Sequence, residues 1–104
     1  MATIHVSQLQ CVRKQDVTGT FDEAAIFLAG REAIVLPMAK GQVRPLNPHL
    51  SETFGASIVV ELKEKDGNSY KSLGSTTVFA GIQGPQPVEF KTSGAHYHLW
   101  YHLL

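Results

Sequence analysis

The chain has 104 residues, 43% hydrophobic and 17% charged, which suits one continuous core and excludes two independent ones, a disordered chain or a coiled coil. Nine basic and nine acidic residues cancel, removing the long-range field that draws a protein to nucleic acid. The same neutrality removes self-repulsion, so a homo-oligomer fits the composition.

Cys11 is the single cysteine, so an intramolecular disulfide framework is excluded. Between Leu9 and Val12 it reads as a small buried hydrophobe. Met1 to Leu9 has neither a basic segment nor a long apolar one, which fits a cytoplasmic protein or a mature chain trimmed of its signal. No apolar run approaches the ~20 residues that cross a bilayer, so no transmembrane segment is expected.

Period-two alternation recurs along the chain and predicts strands. The first runs from about Thr3 to Val12. Ile4, Val6, Leu9 and Cys11 share one face only if a bulge near Ser7 or Gln8 shifts the phase. Gln15 to Asp22 carries Asp16, Thr18, Gly19 and Asp22 and reads as a loop. Ala25 to Leu28 and Ala33 to Met38 form a hairpin turning about Gly30 and Arg31. Ala39 to Phe54 contains Gly41, Pro45 and Pro48, so it reads as irregular or edge structure with a short strand over Gln42 to Leu46.

Ser57 to Lys65 alternates most clearly, with Ile58, Val60 and Leu62 toward the core. A turn at Asp66 to Ser69 leads to a strand from about Ser72 to Ala80. Gly81 to Pro87 forms a loop before Val88 to Lys91, and the last strand is Ala95 to Leu104. Seven or eight short strands without a helix predict an all-β fold, a single antiparallel β-sandwich spanning residues 1–104.

The segment EKDGNSYKSLG, Glu64 to Gly74, crowds acid and amide oxygens into a turn between two strands. With the Asp16 to Asp22 loop it resembles the C2-domain pattern of an eight-stranded sandwich with acidic loops at one end and a Leu-Gly pair opening the next strand, here Leu73 and Gly74. The resemblance implies Ca²⁺ held by Asp16 and Asp22 from the first loop and by Glu64 and Asp66 from the third. Lys71 stands where it expects a further carboxylate, so it equally implies a calcium-independent module, with these acids as solvated turn residues, presenting loops to a protein, lipid or glycan.

A small carbohydrate-binding lectin is the alternative. It calls for an aromatic platform beside amide and carboxylate groups, with Trp100, Tyr97, Tyr101, Tyr70, Asn68 and Asp66 as candidates and Lys71 close by. A second alternative is an inhibitor or structural subunit that meets a partner protein through Gly81 to Pro87 or the face around Trp100.

In the terminal strand AHYHLWYHLL, His96, His98, Trp100 and His102 fall on one face, and Tyr97, Leu99, Tyr101 and Leu103 on the other. The second set reads as core. His96 and His98 project about 7 Å apart, close enough to share a metal if another strand supplies a third ligand, with His5 and His49 the remaining histidines. Otherwise they are polar cover for an exposed sheet. Their titration near pH ~6.5 would then place like charges on one face and weaken an interface formed there. The chain contains no nucleophile elbow, HExxH segment or phosphate-binding glycine loop, so a non-enzymatic role is expected.

Overall fold

Among the described residues, eight strands form two antiparallel sheets, with alternating apolar residues turned inward most regularly in β1, β5 and β8. A computed structural model describes residues 1–13, 22–84, 86–92 and 94–104, with the backbone alone at 47–49. The strands are β1 (Ala2–Arg13), β2 (Asp22–Leu28), β3 (Arg31–Met38), β4 (Val43–Phe54), β5 (Ser57–Asp66), β6 (Ser69–Phe79), β7 (Val88–Lys91) and β8 (His96–Leu103). One sheet has the order β4-β1-β8-β7 and the other β3-β2-β5-β6. Among the described residues, no helix is long and apolar enough to cross a membrane.

The inner faces supply a single core. Ile4, Val6, Leu9 and Cys11 of β1 meet Ala24, Ile26 and Leu28 of β2, Ile58, Val60 and Leu62 of β5, and Tyr97, Leu99 and Tyr101 of β8. The expected bulge in β1 is present. The pairing of β1 with both β4 and β8 shifts between Val6 and Gln8, which carries Leu9 and Cys11 back to the inner face after Val6.

Several boundaries differ from the sequence expectation, among them the start of β6, at Ser69 rather than about Ser72. β4 lies at the sheet edge and pairs with β1 alone, in line with the edge reading, but it is a 12-residue strand and not a short one. An edge strand tolerates proline, whose missing N–H need not face a neighbour. The β2–β3 turn is Ala29–Gly30, with φ of 54° and 79°. Two successive left-handed residues are what a two-residue hairpin with native twist requires.

Asp22 belongs to β2 rather than to a loop. It is fully buried, and the Tyr97 hydroxyl donates a 2.6 Å hydrogen bond to its Oδ2. Burial, followed by this bond, pushes the Tyr97 hydroxyl well above its ordinary range, so the phenol stays a donor. The bond joins β2 of one sheet to β8 of the other and satisfies a carboxylate inside the core.

Leu73 is an extra residue in β6: Leu62 pairs with Gly74 while Lys63 pairs with Ser72. Leu73 is buried. Gly74 has φ 137°, and a Cβ there would lie 3.0 Å from the Phe90 ring and 3.5 Å from Phe90 Cβ. The Leu-Gly pair thus has a local structural cause, a bulge that lets β6 approach β7.

β7 is too short to cover all of β8, and two glutamines take over where it stops. Gln86 Oε1 accepts from the Tyr101 N–H at 2.9 Å, and Gln83 Oε1 accepts from the Leu103 N–H at 3.0 Å. Gln83 Nε2 also donates to the Tyr101 carbonyl at 3.3 Å. These side chains occupy ladder positions that a strand would otherwise fill.

Candidate functional site

The outward-facing residues make two surfaces. On β3-β2-β5-β6, Phe27 is nearly buried although it faces away from the core, because other side chains lie over it. Tyr70 meets its ring edge-on with centroids 5.3 Å apart, and Lys63 Nζ lies 4.4 Å from its ring centre. The Tyr70 hydroxyl donates to Glu32 Oε1 at 2.6 Å, and Lys65 Nζ pairs with the same oxygen at 3.5 Å. Lys63 pairs with Glu61 at 3.7 Å. Glu61 also accepts from Ser72 at 3.2 Å.

The Tyr70 hydrogen bond, and then the Lys65 charge, hold the Glu32 carboxyl below its ordinary range. The Glu32 contacts raise Tyr70 and Lys65 in turn. This surface is cross-linked by its own side chains. A hollow at its edge, lined by Leu28, Arg31, Glu32, Ala33 and Glu52, is spanned by an Arg31–Glu52 ion pair at 3.5 Å.

On β4-β1-β8-β7 the outward residues differ in kind. His96, His98, Trp100 and His102 line β8, while Tyr97, Leu99 and Tyr101 are buried on its other side, as the alternation predicts. Register places Gln8 opposite Trp100, Gln10 opposite His98 and His5 opposite His102. The His5 and His102 rings stack at 5.0 Å with 13° between planes, and His5 Nδ1 is 2.8 Å from Ser51 Oγ.

His98 stands edge-on to Trp100, with centroids 5.9 Å apart, and to His96 at 4.9 Å. From β7, Glu89 pairs with His98. Its Oε2 is 3.2 Å from His96 Nε2 and 3.4 Å from His98 Nε2. The polar contact from His96, followed by that from His98, holds the Glu89 carboxyl below its ordinary range.

The acidic loop end is assembled differently from the C2 expectation. Asp16 lies outside the described residues. Asp22 faces the core and is engaged by Tyr97. Glu64 is half-buried, Asp66 is exposed, and Lys71 is the direct cross-strand partner of Glu64. Glu64 and Asp66 are thus the accessible carboxylates of that set among the described residues, against the six to eight oxygens that Ca²⁺ takes.

Of the aromatic candidates, Tyr97 and Tyr101 are inside. Tyr70 lies on the other sheet beside Phe27, and Asn68 and Lys71 lie on its β5–β6 hairpin. These residues do not share a platform with Trp100. The neighbours of Trp100 are Gln8, its register partner on β1, and His98, edge-on to it, and Glu89 reaches His98 from β7. Glu89 escaped the sequence reading because only cross-strand register brings it to the histidines.

No family model matches this chain, and no curated protein matches it either.

Proposed function

We propose that the protein is a non-enzymatic binding module whose working surface is the outer face of β4-β1-β8-β7, and that its ligand is a carbohydrate. One observation carries the reading. Trp100 sits half-buried on the outer strand face, with Gln8 its register partner on β1, His98 edge-on to its ring and His102 the next outward residue of β8. A pyranose offers an apolar face and a rim of hydroxyls; it takes a fixed aromatic ring below and amide, imidazole or carboxylate groups around.

The sandwich supports this by rigidity. Trp100 is carried by β8, which is held between β1 and β7, with its inner residues in the core, so little conformational freedom is lost on binding. The acidic loop end, as a C2-like site for protein, lipid or calcium, draws on Glu64 and Asp66 and has less to recommend it. The Gly81 to Pro87 loop spends Gln83 and Gln86 on completing β8, which makes it a poorer partner surface than the Trp100 face.

Trp100 is the only tryptophan, so its emission reports this face alone. Screening on a glycan array, followed by titration of each hit against Trp100 fluorescence, should give saturable binding with a spectral shift, and Trp100→Ala should abolish it. Array hits that leave the emission unchanged, or an array without hits, would count against the reading.

A further inference from the structure

We propose that Glu89, His96 and His98 form a binding site for a divalent transition-metal ion, Zn²⁺, Cu²⁺ or Ni²⁺, on the outer face of the sheet beside Trp100. The site stands on side-chain geometry and does not depend on what Trp100 binds.

The strands create the convergence. Residues two apart on one strand share a face, so β8 alone aligns His96 and His98. β7 then places Glu89 directly opposite His98 and diagonal to His96, within reach of a long side chain. The three ligand atoms lie within 4.8 Å of one another. Two of the three separations, 3.2 and 3.4 Å between Glu89 Oε2 and the two Nε2 atoms, match the edge of a tetrahedron with metal–ligand bonds of 2.0–2.1 Å, about 3.3 Å. The third separation, between the two imidazoles, is no more than 4.8 Å, and rotation about the imidazole side-chain bonds is the motion that shortens it.

A second observation points the same way. His96 Nε2 is shut off from solvent without a well-formed hydrogen bond, although Glu89 Oε2 is 3.2 Å away. A ring nitrogen closed off from solvent without a hydrogen-bond partner is an unsatisfied polar atom, and a cation bound by its lone pair and by the Glu89 carboxylate, lying off the line between the two atoms, satisfies both. Among the described residues, this is the one group of three or more His, Cys, Asp or Glu side chains that could hold a metal ion.

The donor set chooses the ion. Two imidazoles and one carboxylate suit Zn²⁺, Cu²⁺ and Ni²⁺, whereas Ca²⁺ takes oxygen ligands in greater number. Three protein ligands leave a fourth position for water or an incoming group. Arg13 on β1 and Lys91 on β7 are both register partners of His96. The Arg13 guanidinium donates to the Thr92 carbonyl at 3.3 Å, and both side chains are exposed. Their charge opposes the ion without removing a ligand atom, so Lys91→Ser should tighten binding.

The test is calorimetric titration of the untagged protein with Zn²⁺ alone, alongside nitrogen-15 spectra of the histidine rings. The expected result is one ion per chain, with the Nε2 resonances of His96 and His98 displaced. Affinity should fall at least about tenfold in each of Glu89→Gln, His96→Gln and His98→Gln and stay unchanged in His102→Gln. No binding at millimolar Zn²⁺, undisplaced His96 and His98 resonances, or binding that survives His98→Gln and disappears with His102→Gln would overturn the proposal. The ring spectra of the unsubstituted protein keep it falsifiable if a variant fails to fold.

Discussion

On the outer face of β3-β2-β5-β6, Phe27 is roofed by Tyr70 and Lys63, and the polar ends of that roof bond to Glu32 and Glu61. On the outer face of β4-β1-β8-β7, Trp100 has ring edges and an amide beside it, with Glu89 and the histidines at one end. Both faces carry aromatic and charged residues. What separates them is where the polar groups point: in the first they close over the ring and stabilise the sheet, and in the second they stand beside the ring, where we propose that a ligand binds.

Substitutions can break that comparison. The largest effect should come from Phe27→Ala, which removes a nearly buried ring and the surface that Tyr70 and Lys63 cover. We expect a loss of about 3 kcal/mol in denaturant unfolding, with ligand binding at Trp100 intact. A loss no greater than that of Trp100→Ala would mean the two faces are equally structural. Next is Tyr97→Phe, which removes the hydroxyl that donates to the buried Asp22 carboxylate. Chemical denaturation should show a cost of about 1–3 kcal/mol, since the site lies under both faces and tests the core rather than either surface.

Gln83→Ala removes a side chain that stands in for a strand, and should cost about 1 kcal/mol. Increased exchange of the Leu103 amide would localise the effect. A pH series sharpens the account of the closed face. Glu32 is held low, so its contribution is present above the ordinary carboxylate range, around pH 4 to 4.5, and is lost as pH falls through its folded value. Tyr70 and Lys65 are held high, so theirs is present below about pH 10 and is lost as pH rises through their folded values. The melting-temperature gap between wild type and Tyr70→Phe should therefore be widest between these limits and shrink on both sides; a gap independent of pH would contradict the network. The smallest effect is a gain: Ala29→Asn places a residue suited to positive φ in the hairpin turn, worth a few tenths of a kcal/mol by thermal unfolding.

Much of the fold could be read where one strand contains its own evidence. The two faces of β8 follow from alternation within AHYHLWYHLL, the β1 bulge from the broken phase of Ile4, Val6, Leu9 and Cys11, and the limits of β7 from the glycines and prolines before it. What escaped were features set by neighbours. β4 looks broken by Pro45 and Pro48 until it is known to be an edge. Asp22 reads as a loop acid because nothing local shows that Tyr97, 75 residues away, will receive it in the core. The Leu73–Gly74 pair resembles a family mark, yet its conformation serves a contact with Phe90. The sequence singled out His96 and His98, while Glu89 needed the register of β7 against β8.

The most direct test of the working surface is to map amide and indole shifts on adding an array-identified glycan to nitrogen-15-labelled protein. The account predicts that the Trp100 indole N–H and the side-chain amides of Gln8 and Gln10 move, while Phe27, Lys63 and Tyr70 stay still. Shifts centred on the β5–β6 hairpin around Asp66, Asn68 and Lys71, with Trp100 unmoved, would contradict it and return the site to the acidic loop end.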